Sequence, residues 1–394
     1  MLPRKDIIIY GQIFTRRKFE KGWLQIENRD GKFYVKKGFT PGRTDYYDLK
    51  GVFIPPFFDA HTHIGDAALR EIISSYNISG TDLNEVVAPP EGIKHRLLKE
   101  LDDTRLISGM KDYLHSMKMH GIEAFMDFRE GGLRGMKMIH EALDISFSPD
   151  ISLALGRPLN PIEMKNNSIY RNKNLSEVDE RFEESVMNIL DISTGINVSG
   201  MAEWDYSDLL YIRDNLGKDK LFSFHFSEDK REDVEMAIEL KPDFVIHGNM
   251  MTEDDIIMLK ENNIPIVSCP SSSIRFGYKP PFDKFYKHEM KIFIGTDNAM
   301  FGEPDMLREI KILKTLYPTI PLEDIIYYSL CYNLTNISGK TLNYECDIEY
   351  GFYEEDEIRL NHLECETESP EKSVMNAKNN MININMNNII YEEN

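Results

Sequence analysis

The sequence lacks features that would place the chain in or across a membrane. It has no apolar run of about 18 residues, the length that a membrane-spanning helix needs, so we do not expect an integral membrane protein. The first residues after Met1 form no signal-peptide core with a cleavage site. The triple isoleucine at positions 7–9 predicts a first strand instead.

Cysteine is scarce, and the cysteines that are present stand far apart. The four residues form no C-x-x-C pair; they are Cys269, Cys331, Cys346 and Cys365. This spacing is typical of reduced thiols and argues against a disulfide framework or a zinc knuckle. We therefore expect a cytoplasmic protein.

Basic residues are outnumbered by acidic ones. The 46 lysines and arginines against 66 aspartates and glutamates give a formal net charge of −20. A negative field repels phosphate backbones and anionic lipid headgroups, so we expect neither nucleic acid nor a membrane as a partner. A small-molecule substrate is the expected partner. The charge neither favours nor excludes the formation of a homo-oligomer.

Apolar strand-like runs alternate with amphipathic helical stretches from residue 52 onward. The eight runs are Val52–Ala60, Glu123–Phe128, Ile151–Leu155, Gly195–Ser199, Leu221–Phe226, Phe244–His247, Pro265–Cys269 and Ile292–Gly295. This α/β alternation predicts a (β/α)8 TIM-like barrel, in which active sites lie at the C-terminal ends of the strands. The long insert Ile64–Arg105 follows the first run, and we expect it to form a lid or substrate loop.

Both ends of the chain carry strand signals outside this alternation. Before position 54 the short runs are Ile7–Tyr10, Trp23–Ile26 and Phe33–Val35. Near the end, Met381–Met386 alternates with period two, and Asn387-Asn388 predicts a turn before Ile389–Tyr391. We expect a terminal hairpin here that pairs with the N-terminal strands. We expect residues 1–54 and 339–394 to form the two parts of a small β-sandwich layer beside a barrel domain of residues 55–338.

Histidines and one aspartate stand where the predicted strands end. His61 and His63 are two residues apart, so both side chains project from one face of a strand. His225, His247 and Asp297 end the fifth, sixth and eighth runs, which places them at the same rim. Imidazole and carboxylate ligands suit Zn²⁺ or Fe²⁺, and such an ion can lower the pKa of a bound water to about 7. The sequence therefore predicts hydrolysis by a metal-activated hydroxide.

Glu228 follows His225 by three residues and is placed to shuttle protons beside this nucleophile. General acid–base assistance of this kind is worth about 10²–10⁴ in rate. The alternative is that Glu228 only occupies a helix N-terminus, where the helix dipole favours acidic residues.

These motifs resemble the amidohydrolase superfamily, in particular its cytosine deaminase-like and chlorohydrolase branch, which includes guanine and S-adenosylhomocysteine deaminases and triazine hydrolases. The resemblance covers about residues 51–336, and the motifs that carry it are Asp59-Ala60-His61-Thr62-His63, His225-x-x-Glu228, His247-Gly248, Cys269-Pro270-Ser271-Ser272-Ser273 and Gly295-Thr296-Asp297-Asn298. The resemblance implies one divalent metal ion, Zn²⁺ in preference to Fe²⁺, with the ligands His61, His63, His225 and Asp297. It further implies that Glu228 shuttles protons, that His247 hydrogen-bonds the nucleophilic water or the oxyanion, and that Asp297 takes the proton of the water.

The fourth strand bears on the number of metal ions. Dinuclear members of the superfamily place a carboxylated lysine there, whereas the corresponding segment Asn197–Trp204 contains no lysine. We therefore expect a mononuclear site, with a second metal bridged by Glu203 as the alternative.

Substrate contacts are expected in the loops after the strands. The candidates are Arg129, Arg157, Trp204 and Phe276. The arginines could hold a carboxylate or phosphate group, or could pair with neighbouring acidic residues. The aromatic residues could stack on a planar ring, or could serve only for packing.

The expected reaction is the hydrolytic deamination of a heterocyclic amine, such as a purine, a pyrimidine or a pterin-like ring. This makes the chain a hydrolase of carbon–nitrogen bonds other than peptide bonds. The first alternative is hydrolysis of a cyclic amide, as in imidazolonepropionase-like relatives. The second is a non-catalytic binding protein on the same barrel.

Overall fold

The computed structural model describes residues 6–15, 17–29, 32–38, 47–76, 83–87, 92–145, 148–149, 151–166, 175–331, 337, 346–347, 352–353, 357–363, 369–376, 380–385 and 388–391. The strands of these segments are β1 (Asp6–Thr15), β2 (Lys18–Arg29), β3 (Lys32–Gly38), β4 (Leu49–Ile54), β5 (Phe57–His63), β6 (Ile122–Arg129), β7 (Ile151–Gly156), β8 (Gly195–Val198), β9 (Leu221–Phe226), β10 (Phe244–His247), β11 (Ile266–Ser268), β12 (Ile292–Ile294), β13 (Asp297–Asn298), β14 (Cys346–Asp347), β15 (Phe352–Tyr353), β16 (Glu357–Leu363), β17 (Asn380–Asn385) and β18 (Asn388–Tyr391).

The helices alternate with the middle strands. They are α1 (Arg70–Ser74), α2 (Leu83–Val87), α3 (Ile93–Glu100), α4 (Asp103–Met119), α5 (Gly132–Leu143), α6 (Pro161–Asn166), α7 (Leu175–Ile192), α8 (Tyr206–Asn215), α9 (Val234–Leu240), α10 (Glu253–Glu261), α11 (Pro270–Arg275), α12 (Phe282–Lys287), α13 (Met306–Leu316), α14 (Leu322–Tyr327) and α15 (Pro370–Asn376). Short 3-10 turns lie at Ile64–Leu69, Met201–Glu203 and Ala299–Phe301. Among the described residues, no helix has the length and apolar character that crossing a membrane requires.

A curled parallel sheet forms the centre of the molecule. Strands β5 to β12 pair in chain order, and β13 pairs in parallel with β5, with Asp297 opposite Thr62. Because β12 and β13 lie almost next to each other in the chain, the two edges of the sheet meet. This α/β arrangement is consistent with the predicted barrel, and it brings the C-terminal ends of the strands to one rim.

Buried side chains fill the interior of this curled sheet. Phe58, Met126, Leu153, Phe244 and Phe293 belong to one cluster and come from five different strands. Fully burying such a side chain stabilises the fold by about 1.5–3 kcal/mol. The cluster therefore forms a rigid base for the polar residues that stand at the strand ends.

The second sheet collects strands from both ends of the chain. Its order is β14-β15-β16-β4-β1-β2-β3, with the hairpin β17-β18 attached to β16. The predicted terminal hairpin is confirmed, since Asn385 lies opposite Asn388 in an antiparallel pair. Its expected pairing with the N-terminal strands is wrong, because among the described residues the hairpin pairs with β16 of the C-terminal segment. The turn at Asn387 lies partly outside the described residues. The second layer that a β-sandwich needs, and the predicted domain boundaries, stay predictions.

The first predicted strand, Val52–Ala60, is wrong as one element. Val52 to Ile54 end β4 in the terminal sheet, and the curled sheet begins anew at Phe57. Pro55 and Pro56 separate the two because proline lacks the N–H that a continuous ladder needs. The other seven predicted strands overlap the observed ones, and Leu221–Phe226 and Phe244–His247 have the predicted bounds.

The insert Ile64–Arg105 contains helices that the sequence reasoning did not predict. After a 3-10 turn come α1, α2 and α3, and α4 begins at Asp103 before the insert ends. The side chain of Asp102 caps α4 by accepting a hydrogen bond from the Arg105 N–H. The insert is therefore a partly helical segment that can hold side chains in fixed positions.

Candidate metal centre

His61 and His63 lie at the end of β5, and both are buried. The Nδ1 atom of His63 lies 3.1 Å from the carbonyl oxygen of Phe128. Because a carbonyl oxygen only accepts, Nδ1 carries the proton and Nε2 keeps its lone pair. That Nε2 atom lies 3.5 Å from Asp297 Oδ1, and His61 Nε2 lies 3.3 Å from the same oxygen.

The next histidines come from β9 and β10. His225 Nε2 lies 3.3 Å from His61 Nε2. The ring of His225 also stacks against the ring of His247, with the centroids 5.2 Å apart. All the histidines and the aspartate predicted at the strand ends are therefore brought together at one rim.

Two of these residues have strained backbone conformations. His247 has φ 72° and Asp297 has φ 67°, in the left-handed region that residues other than glycine rarely adopt. Such strain costs about 1–3 kcal/mol and is concentrated at functional sites. Asp297 is fixed further by a hydrogen bond from the Ser272 hydroxyl to Oδ2.

The donor set fits a divalent cation. His61, His63 and Asp297 each offer one ligand atom, and these atoms lie within 4.8 Å of one another, as do the atoms of His61, His225 and His247. Nitrogen and oxygen lone pairs that face one another at this range repel unless a cation or a proton lies among them. Neutral imidazoles with one carboxylate are ligands that Zn²⁺ accepts.

The protonation of these candidate ligands is compatible with metal binding. Burial, followed by nearby positive charge, lowers the pKa of His63 and of His225 well below the ordinary value, so both rings are neutral at pH 7. Burial by itself would raise the pKa of Asp297. The hydrogen bond with His61, followed by the electrostatic interaction with the surrounding histidines, outweighs burial and holds that pKa well below its usual range.

Asp59 ties the two edges of the curled sheet together below the ligands. Its Oδ1 accepts a hydrogen bond of 2.9 Å from the Thr296 N–H, and its Oδ2 accepts one from the Thr296 hydroxyl. Burial raises the pKa of Asp59 to about 7, although these hydrogen bonds lower it. Its place in the motif ahead of His61 is therefore structural: it fixes where Asp297 stands relative to β5.

Glu228 lies beside His247, with Oε1 3.4 Å from Nε2. Burial raises the pKa of Glu228 well above the ordinary value, and the negative charge of Asp297 adds to the shift. The alternative placing of Glu228 at a helix N-terminus is wrong, because the helix that follows begins only at Val234. The side chain therefore presents a carboxyl group whose surroundings favour its protonated form.

A cavity opens over the ligands and is lined in part by the insert. Its walls include His63, His225 and Asp297, together with Leu83 and Val87 of α2. The insert thus contributes part of the cavity wall. Its role as a lid or substrate loop stays a prediction.

The structure places the four predicted substrate residues differently. Arg157 lines the cavity, where it pairs with Glu163. Arg129 is buried, and its Nη1 atom lies 3.7 Å from Asp127, so its charge is directed into the protein. Trp204 is also buried and donates a hydrogen bond of 3.2 Å to the Ser199 hydroxyl.

Phe276 packs against Phe301 with the ring centroids 5.8 Å apart. Among the described residues, the walls of the cavity therefore include Arg157 but not Arg129, Trp204 or Phe276. Trp204 and Phe276 therefore serve for packing, as one of the two alternatives for the aromatic residues predicts. Arg129 pairs with an acidic neighbour, as one of the two alternatives for the arginines predicts.

Lys94 is a cavity residue that sequence reasoning missed. It lies on α3 and is 2% exposed, with Nζ 2.8 Å from Asp66 Oδ2 and 3.0 Å from Glu130 Oε1. Burial by itself would lower the pKa of Lys94, but the two carboxylates outweigh it and raise the pKa, so the ammonium group stays charged. The available signal was weak: Lys94 stands three residues before Leu97, on the face of α3 that is buried.

Replacing Lys94 with methionine is expected to destabilise the fold by about 3–5 kcal/mol, because it leaves the buried Asp66 and Glu130 without their cation. The free energy of unfolding from urea titrations measures this loss. The matched variant Lys99→Met removes an exposed lysine of the same helix and is expected to change stability by less than about 0.5 kcal/mol. Equal stability of the two variants would show that the buried ion pairs contribute nothing.

Sequence comparison with known proteins identifies a family of enzymes and individual relatives. Residues 52–326 match the model of the Amidohydrolase family. An uncharacterized protein of Methanocaldococcus jannaschii is 34% identical over 343 residues, which cover 82% of this chain and 81% of that protein. A 5-methylthioadenosine/S-adenosylhomocysteine deaminase of Pyrococcus abyssi is 22% identical over 338 residues, 81% of this chain and 75% of that protein.

A solved structure shares the fold. The crystal structure of an adenosine deaminase from Xanthomonas campestris with bound zinc superposes with a TM-score of 0.67 at 14% identity, covering 98% of this chain and 92% of that one.

Proposed function

Because this chain belongs to the amidohydrolase family, we propose that it is a metal-dependent hydrolase that deaminates a heterocyclic amine on a (β/α)8 barrel. The substrate class is a purine, a pyrimidine or a pterin-like ring. The observation that carries the proposal is the position of Glu228, 3.4 Å from His247 and on the wall of the same cavity as the ligand cluster. The similarity to a deaminase of Pyrococcus abyssi supports a carbon–nitrogen bond as the target.

His61, His63, His225 and Asp297 would hold one divalent ion, Zn²⁺ in preference to Fe²⁺. When bound, the ion would supply a nucleophilic hydroxide at neutral pH by lowering the pKa of a water molecule. Glu203, the alternative bridge to a second ion, has Oε2 3.9 Å from Arg157 Nη2, so it has a positive partner. This supports a mononuclear centre.

The chain's own residues would move the protons. The ionised Asp297 would accept a proton from the attacking water. The protonated Glu228 would donate its proton to the ring nitrogen next to the reacting carbon. Burial lowers the pKa of His247 to about 4, so its ring is neutral at pH 7 and can donate one N–H to the oxyanion. As the carbon–nitrogen bond breaks, ammonia would leave with the proton that Asp297 took from the water. The remaining hydroxyl proton of the intermediate would pass to the ionised Glu228 as the carbonyl forms, which restores the carboxyl group of Glu228.

A panel of aminated heterocycles tests the proposal. We expect fully metal-loaded protein to release ammonia from at least one ring, and mass spectrometry to show one amino group replaced by oxygen. A product that has gained water without releasing ammonia would favour cyclic-amide hydrolysis. If no ring yields ammonia, deamination is contradicted.

A further inference from the structure

A second cavity adjoins the metal centre. Asn298 lines both cavities, and Ser272, which donates its hydroxyl hydrogen to Asp297, lines the second. The second cavity has a volume of about 170 Å³. Since a single buried water needs only about 10–15 Å³, the space admits a polyatomic group.

Two arginines line this cavity. They are Arg275 and Arg308, and the polar residues Tyr113 and Ser271 lie beside them in the wall. Glu303 is the acidic residue of the described wall, and Arg70 pairs with it. A wall of this chemistry favours a negatively charged group.

Arg275 lacks an acidic partner. Its Nη2 atom donates to the Phe301 carbonyl at 3.4 Å, and its guanidinium lies 4.6 Å above the Phe301 ring. Within the described part of the chain, no carboxylate forms an ion pair with it. Burial, and then the positive charge of Arg308, lower the pKa of Arg275, so the two guanidinium groups repel each other.

Arg308 is only partly neutralised. Its Nη2 atom lies 3.3 Å from Glu309 Oε1, and 40% of its side chain is exposed. The other oxygen of Glu309 accepts a hydrogen bond of 2.8 Å from the Ser271 N–H. Arg308 therefore shares its acidic partner with the backbone and keeps donor capacity for a further group.

We propose that this second cavity binds an oxyanion, either phosphate or carboxylate, between Arg275 and Arg308. The planar guanidinium group matches the two oxygens of such an anion, and an anion here relieves the repulsion between the arginines. The anion can be an acidic group of the substrate, which reaches across Asn298, or a free anion that acts on Asp297 through Ser272.

Inorganic phosphate is the probe. We expect phosphorus NMR titration of the metal-loaded, full-length protein to give saturable binding. In Arg275→Gln the dissociation constant should rise at least about tenfold, the loss of one charge-assisted contact of about 1.4 kcal/mol. Arg275→Lys, which keeps the charge but loses the planar fork, should fall between the two.

The matched control is Arg134→Gln. Arg134 is an exposed arginine of α5 that pairs with Asp103. The Arg134→Gln variant should therefore bind phosphate with the same dissociation constant as the unaltered protein. The thermal unfolding temperature of each variant, compared with that of the unaltered protein, tests whether the substitution leaves the fold intact. Binding that is the same in Arg275→Gln as in the unaltered protein would overturn the proposal, as would binding lost on metal removal but kept in Arg275→Gln.

A kinetic comparison separates the two sources of the anion, and this part rests on the proposed function. If the anion belongs to the substrate, Arg275→Gln should raise KM for an aminated nucleoside monophosphate and leave KM for the matching nucleoside unchanged. If a free anion binds, inorganic phosphate should change the turnover of the nucleoside without competing with it. The phosphate titration does not depend on turnover, so failure of the deaminase proposal would leave it valid.

Discussion

Glu228→Gln is expected to lower turnover by about 10²–10⁴-fold while the metal content stays unchanged. The amide keeps the size of the side chain and its place beside His247, but it has no carboxyl proton to give. Glu228 is not among the proposed metal ligands, so its loss should leave the ion in place. Steady-state ammonia release gives the turnover, and elemental analysis of the same sample gives the metal content.

The control for this substitution is Glu235→Gln, which makes the same chemical change at an exposed position of α9. It should turn over like the unaltered protein. Undiminished turnover in Glu228→Gln would exclude Glu228 as the proton shuttle. A protein that binds its ligand equally well with and without Glu228, and never turns it over, would be the non-catalytic binder.

Asp297→Asn is expected to lower metal affinity by more than about 10²-fold, since even residues outside the ligand set cost 10–100-fold when replaced. Asp297 contributes the carboxylate that faces both His61 and His63, at 3.3 and 3.5 Å. An asparagine supplies no negative charge to offset the ion. Metal retained after dialysis against a graded chelator series measures the effect.

A graded variant and a control accompany this experiment. Ser272→Ala removes only the hydroxyl that donates to Asp297, so affinity should fall by about 10–100-fold. Asp283→Asn, at an exposed position of α12, should retain the metal like the unaltered protein. If Asp297→Asn retained it equally well, Asp297 would not be a ligand.

The cluster of histidines with Asp297 could be predicted because strand ends in a parallel sheet meet at one rim. The buried strands that contain His225 and His247 have the predicted bounds, since each is a short and mainly apolar segment. The prediction of one continuous strand through Pro55 was wrong for a different reason. Both halves are buried, but in different sheets, and apolarity alone does not distinguish them.

Substrate contacts could not be predicted in the same way. The sequence predicts Arg129 and Trp204 at the mouth of the barrel, whereas in the structure both are buried, beside Asp127 and Ser199 respectively. Lys94 is the converse case, since the sequence does not predict it as a cavity residue. This lysine of a polar insert is buried as a cation because it forms ion pairs with two carboxylates that are distant in the sequence. Whether such a side chain is buried or lines the cavity depends on its tertiary contacts, which a local sequence pattern does not predict.

The most direct test of a single-metal hydrolytic centre is the number of divalent ions per chain, measured by elemental analysis of gently purified protein. We predict a ratio near one in the unaltered protein and near zero in Asp297→Asn. A ratio near two would place a second ion in the centre and contradict the mononuclear proposal. A ratio near zero in active protein, or a ratio that Asp297→Asn leaves unchanged, would contradict the metal centre itself.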